Sequence, residues 1–267
     1  MYSYTVGNPN EEIYVKDERV IGGCAIGIIL SDNLYFPNIP GDVANANTFD
    51  FPVHYELMEG LKKGTVQQVL TTKPSSRVRD ALINAGKKLQ KQGCRAISSD
   101  CGYYANYQNE VAAALDIPVF LSSLLQVPVI LRTLKPSQKL AVICARGSTL
   151  TEAPALRNVG VNDMSRIVIA GISDAEGTTP PNLRQIQNVF KSRKHMNPRL
   201  FEEEMVDIAK RLVSGNEDIG AMLLEGSIFP AFAYGIQKAV RLPIFDFSTL
   251  IKWAFSAVVR RPFAGFV

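Results

Sequence analysis

Arg95-Ala96-Ile97-Ser98-Ser99-Asp100-Cys101-Gly102 runs from an apolar stretch into a tight polar turn, and Ala221-Met222-Leu223-Leu224-Glu225-Gly226-Ser227 repeats that design 125 positions later. The same offset, without gaps, sets Asp100 on Glu225, Cys101 on Gly226, Pro118 on Pro243, Phe120 on Phe245, Ser123 on Ser248 and Leu125 on Leu250. Residues 95–125 and 220–250 therefore read as two copies of one unit. Each copy is an apolar strand, a polar turn, a helix-like stretch and a short strand of the form Pro-(Val/Ile)-Phe. Two such halves can set two like turns face to face across a cleft. One turn then carries a thiol, at Cys101, and the other carries no side chain, at Gly226.

Outward from these turns, strand candidates recur at α/β spacing. They are Ala25–Leu30, Val66–Thr71, Arg95–Ser99 and Pro118–Leu121, then Leu140–Cys144, Ile167–Gly171, Ala221–Leu224 and Pro243–Phe245. All are short, continuous and rich in β-branched residues, as strands buried on both faces should be. Helical patterns lie between them. Ser76–Gln92 begins with a serine pair suited to capping. Pro198–Val213 begins with Asn197 as cap and proline at the first helical position, and Glu202–Glu204 fall in its early turns, where the helix dipole favours negative charge. Strand–helix alternation predicts parallel sheets flanked by helices. A break near Lys135–Gln138 divides the chain into lobes 1–135 and 136–267, with a helix in Ser248–Arg261 expected to pack back on the first lobe. Two turn-rich segments, Asn38–Phe51 and Ser173–Pro181, follow strand ends on the side where open α/β sheets bind ligands. They read as lids, site walls or ordinary connections.

A chain of 267 residues with 46% apolar and 20% charged residues has the balance of a globular protein, for one large domain or two ordinary ones. The net charge of +4 is small and scattered, and its densest run, Lys191–Lys194, reads as a solvated face. Nucleic-acid binding is not expected. Met1–Asp17 is polar, without the apolar core of a signal peptide. No apolar run approaches the roughly 20 residues that cross a bilayer. A cytoplasmic protein without a membrane partner is expected. Cys24, Cys94, Cys101 and Cys144 lie far apart and read as free thiols. His54 and His195 have no partner at metal-ligand spacing, so no metal site is expected. Ile21-Gly22-Gly23-Cys24-Ala25-Ile26-Gly27 lies before and within the first strand and cannot cradle a dinucleotide.

Cys101 is the first candidate for chemistry. Between a strand and a helix, its sulfur falls near free N–H groups and a dipole that favour thiolate, the form that acts as base or nucleophile. Cys24, Cys94 and Cys144 read as small buried hydrophobes. Asp100 and Glu225 precede the two turn residues and can orient groups or move protons, although a neighbouring negative charge opposes thiolate. Their plainer role is to cap the following helix. Gly102 and Ser227 can present backbone N–H donors to a carboxylate or a developing enolate. Ser99, Asp32 and Thr149, with Ser148 and Thr151 beside it, follow strand ends and suit either ligand contacts or caps.

These residues give the chain its resemblance to the aspartate/glutamate racemase superfamily, which includes hydantoin racemase, maleate isomerase and arylmalonate decarboxylase. It is carried by Phe36-Pro37-Asn38-Ile39-Pro40-Gly41-Asp42, Thr48-Phe49-Asp50-Phe51-Pro52-Val53 and Ser99-Asp100-Cys101-Gly102. It continues in Pro118-Val119-Phe120-Leu121-Ser122-Ser123-Leu124-Leu125-Gln126-Val127-Pro128, Leu223-Leu224-Glu225-Gly226-Ser227 and Leu242-Pro243-Ile244-Phe245-Asp246. The resemblance implies two pseudo-symmetric α/β lobes, a site in the cleft between them, no cofactor, and a homo-oligomer. It implies proton transfer at a carbon next to the carboxylate of a small substrate such as aspartate or glutamate, between two cysteines. Cys101 matches the first; Gly226 stands where the second belongs. A glycine offers no side chain for acid–base work. Three explanations follow: a one-thiol enzyme such as a decarboxylase or lyase, a racemase with an introduced substitution, or a racemase whose missing acid is Glu225 or a water. A non-catalytic carboxylate-binding protein is the reading from another class.

Overall fold

The computed structural model describes residues 22–31, 37–59, 61, 73–172, 196–263 and 265–266. Two sheets of four parallel strands carry the fold. The first comprises β1 (Ile26–Leu30), β2 (Val53–Leu57), β3 (Ala96–Ser99) and β4 (Val119–Phe120), in the order β2-β1-β3-β4. The second comprises β5 (Lys139–Cys144), β6 (Ile167–Gly171), β7 (Ile219–Leu224) and β8 (Ile244–Phe245), in the order β6-β5-β7-β8. Strand order is thus the same in both, with β3 matched to β7 and β4 to β8. This is the α/β architecture of two similar sheets that the internal repeat predicted. The central strands are buried along their whole length, which is why they appear in the sequence as unbroken apolar runs.

The helices are α1 (Ser76–Lys91), α2 (Gln108–Ala113), α3 (Val127–Thr133), α4 (Gly147–Glu152), α5 (Ala155–Asn158), α6 (Pro198–Gly215), α7 (Ala233–Val240) and α8 (Phe247–Val258). α6 opens as expected: Pro198 takes the first turn and Asn197 Oδ1 accepts from the Leu200 N–H at 3.2 Å. α1 does not. Ser75 occupies its N-cap without a side-chain cap bond, and its own N–H donates to the Tyr107 hydroxyl at 2.9 Å. α8 is fixed by a reciprocal capping box between Asp246 and Thr249.

Two further expectations need restating. Val66–Thr71 lies outside the described residues, as do Ser173–Pro181, Lys191–Lys194, His195 and Asp32. The neighbour of β1 on its outer side is instead Val53-His54-Tyr55-Glu56-Leu57, paired from Ile26↔Val53 to Leu30↔Leu57. As a half-buried strand with one neighbour among the described residues it needs no unbroken apolar run, and its sequence shows none.

One core cluster joins the sheets, with Ile29, Ile97 and Leu124 from one side and Leu140, Val142 and Leu223 from the other. α6 packs on the second sheet through Phe201, Met205, Ile208 and Leu212. α8 packs on the first: Phe247, Ile251 and Ala254 meet Ile26, Ile28 and Ala96. The Phe255 and Phe51 rings stack with centroids 3.7 Å apart, and Trp253 meets Phe120 edge-on at 5.8 Å.

The segment 37–52 runs from the first sheet onto the second half. Gly41 adopts φ 100°, and a Cβ there would lie 2.4 Å from Ala231 Cα. The Val43 N–H donates to the Ser227 carbonyl at 3.1 Å, and the Tyr55 hydroxyl donates to the Val43 carbonyl at 2.9 Å. The segment is thereby a fixed wall between the sheets. Among the described residues no helix is long and apolar enough to cross a membrane.

Candidate active site

Cys101 and Gly226 each follow the third-numbered strand of their sheet, β3 and β7, and the carboxyl ends of these strands meet. The Tyr103 hydroxyl donates to the Arg146 carbonyl at 2.8 Å and accepts from the Arg146 N–H at 2.9 Å. The Ser123 hydroxyl lies 3.3 Å from both the Leu224 and Glu225 carbonyls. The closest approach is between Gly102 and Glu225: a Cβ on Gly102 would stand 2.2 Å from Glu225 Oε1 and 2.6 Å from its carbonyl oxygen. The two turns are therefore in contact, and Gly102 is where backbone and carboxyl share the space of a missing side chain.

Cys101 is the N-cap of a tight 3-10 turn, Gly102–Tyr107, rather than of the longer helix its sequence suggested; α2 follows that turn. Its side chain makes no capping hydrogen bond, and the nearby backbone N–H groups of Tyr103 and Tyr104 favour thiolate only weakly. They are outweighed. Burial first, then the charges of Glu225 and Asp100, push the thiol well above its ordinary value. The thiol is raised rather than lowered because Cys101 is only 8% exposed and its charged neighbours are acids.

Those acids are themselves shifted. Burial raises Glu225 to about 8, opposed by a hydrogen bond from the Ala145 N–H. It raises Asp100 to about 7, against hydrogen bonds from Ser31. Ser31 N–H and hydroxyl reach Asp100 Oδ2 at 2.9 and 2.7 Å, so Asp100 ties β3 to the end of β1 and does not cap its own helix. A third acid, Asp42 in the wall 37–52, is raised to about 6 by burial and adds charge against Asp100. No Lys or Arg of the described residues lowers any of the three. In the sequence Asp42 stands out only within a turn-rich segment and a family-like motif, not as a candidate acid. Its signal was an aspartate within Pro40-Gly41-Asp42, indistinguishable in sequence from a surface turn.

The remaining candidates are placed as follows. The Ser99 hydroxyl, fully buried, donates to the Leu121 carbonyl at 2.5 Å and braces the Cys101 turn. Gly226 and Ser227 are half-buried, with Ser227 bonded to the wall through its carbonyl. Thr149 is buried in α4, whereas Ser148 and Thr151 on the same helix are exposed. At Gly226 a Cβ would stand 2.7 to 2.9 Å from three atoms of the Phe229 ring, so the room of a second thiol is taken by that ring. Cys24, Cys94 and Cys144 form no disulfide bond, and the last two are buried. Among the described residues no group of three or more His, Cys, Asp or Glu side chains is arranged to hold a metal ion.

The chain matches no family model. Its fold is that of the aspartate/glutamate racemases and of arylmalonate decarboxylase. An unliganded arylmalonate decarboxylase superposes with TM-score 0.54 at 14% identity, over 90% of this chain and 94% of that one. An aspartate racemase homologue from Pyrococcus horikoshii OT3 gives 0.53 at 17%, over 86% and 98%. In sequence, the chain is similar to dimethylsulfoniopropionate lyase 7 of Emiliania huxleyi (strain CCMP1516), 29% identical over 244 residues, 90% of this chain and 69% of the relative.

Proposed function

We propose that this chain is a cofactor-independent lyase in which Cys101 removes the α-proton of a small carboxylate and a group leaves from the β-carbon. The observation that carries the reading is the single thiol, opposed by a glycine whose side-chain space Phe229 fills. Racemisation needs a proton donor on the face opposite the base. Elimination does not. The thiolate takes the α-proton, the pair left on the α-carbon forms the double bond, and the bond from the β-carbon to the leaving group breaks. For dimethylsulfoniopropionate, the substrate named for the relative, the departing sulfur keeps the bonding pair and leaves as neutral dimethyl sulfide, with acrylate as the other product. No acid is required for the leaving group. Cys101 then returns its proton to solvent.

A cationic substrate also suits the electrostatics. Asp42, Asp100 and Glu225 are raised by burial with no lowering by a basic side chain of the described residues. A sulfonium on the side of Asp42 and Asp100 supplies positive charge there and lowers the thiol toward the thiolate it must become, while Glu225 stays neutral. The second reading is racemisation of aspartate or glutamate, favoured by Glu225, an acid on the wall opposite Cys101.

The test is headspace measurement of dimethyl sulfide from dimethylsulfoniopropionate, with chiral analysis of aspartate and glutamate in parallel. Dimethyl sulfide release is expected, falling at least ~100-fold in Cys101→Ser, the lower range for a lost general base. Racemisation without release of dimethyl sulfide overturns the elimination reading.

A further inference from the structure

Glu225 is 1% exposed at the end of β7, so its carboxyl has left water for the wall of the cleft. The Ala145 N–H, beyond β5, bonds that carboxyl. Among the described residues its Oε1 has no hydrogen-bond partner, and a buried polar atom left unpaired is costly. That atom lies directly over Gly102, next to Cys101. Any larger residue at 102 would displace it, so the thiol turn is shaped around the carboxyl. The titratable groups facing Glu225 are Cys101 and Tyr103 of that turn, with Asp100 beyond Cys101; none is a cation.

We infer that Glu225 is a substrate-binding carboxylic acid, which in its neutral form donates a hydrogen bond from its free oxygen to a carboxylate oxygen of the molecule whose α-proton Cys101 removes. This rests on the reading of Cys101 as the base. Glu225 keeps its proton throughout: as the α-proton moves to sulfur, negative charge grows on the substrate carboxylate, the hydrogen bond strengthens, and it relaxes when the leaving group departs. An ionised Glu225 would repel that carboxylate. Burial holds it neutral, with its midpoint at about 8. The acid thus serves recognition, a role the sequence position opposite Asp100 did not specify.

The experiment needs no turnover. Alkylation of Cys101 by iodoacetamide is followed by mass spectrometry on the full chain, with propionate as the protecting carboxylate. At pH 7, propionate is expected to protect the wild type and Glu225→Gln, which retains an N–H donor, to within about threefold of each other. Glu225→Ala should need at least about tenfold more propionate, the scale of a lost hydrogen bond to a charged group. Wild-type protection should fade between pH 7 and 9, while that of Glu225→Gln stays level. Circular dichroism checks folding. Should Glu225→Ala not fold, Gly102→Ala, whose Cβ displaces the carboxyl, takes its place with the same expected loss. No protection of the wild type, equal protection of the wild type and Glu225→Ala, or a Glu225→Gln as weak as Glu225→Ala overturns the inference. Absence of dimethyl sulfide release alongside the expected protection pattern would count against the elimination chemistry alone.

Discussion

At position 226 a Cβ meets the Phe229 ring at 2.7 Å, closer than packed atoms come. Phe229 is 1% exposed and belongs to the core of the second half, so the ring cannot swing into water without opening that core. This bears on whether the chain is a racemase deprived of a thiol. A site that had held a cysteine would keep room for one. Gly226→Cys is therefore expected to lower stability by about 1–3 kcal/mol, the usual range for overpacking, seen as a lower urea midpoint, and to leave aspartate and glutamate unracemised. Phe229→Leu in that background should recover most of the midpoint. A Gly226→Cys protein that is as stable as the wild type and racemises either amino acid would return the chain to the two-base class.

Among the elements, the wall 37–52 and helix α6 separate function from stability. The wall touches the Gly226 turn through Val43 and Ser227, and Gly41 fits only because it has φ 100° and no Cβ against Ala231. Gly41→Ala is expected to reduce dimethyl sulfide release along with stability. Asn197→Ala removes only the cap of α6 and should cost about 1 kcal/mol in thermal unfolding with turnover unchanged; equal loss of activity in the two would refute a special role for the wall. These elements also mark what the sequence could reveal. The central strands were legible because burial on both faces forces continuous apolar runs, and the two matching turns because both copies keep one spacing. β2 was not legible, since a half-buried strand tolerates His54 and Glu56. The failed Ser75 cap depends on Tyr107 arriving from 32 residues away. The raised thiol depends on burial first and then on Glu225, and only the packed halves supply both.

For the molecule as a whole, buried acids make stability a function of pH: Asp246 is raised by burial, and three others are raised further. Asp42 is raised from 3.8 to about 6, Asp100 from 3.8 to about 7 and Glu225 from 4.5 to about 8. Between each pair of values the folded chain holds a proton that the unfolded chain has released, so stability falls as pH rises. Well below pH 3.8 all three are protonated in both states and add no slope. Each acid stops adding slope once pH passes its folded value: Asp42 near 6, Asp100 near 7, Glu225 near 8. The Cys101 thiol, raised from 9.0, adds its own slope only at higher pH. The interval from pH 7 to 8 thus belongs to Glu225 among these four groups. Urea midpoints are expected to decline from pH 5 to 8 in the wild type. Glu225→Gln should flatten the curve between 7 and 8, whereas Asp42→Asn should change its shape only below about 6. If Glu225→Gln keeps the wild-type slope between pH 7 and 8, Glu225 is already ionised there, and neither its raised titration nor a neutral acid facing Cys101 can be sustained.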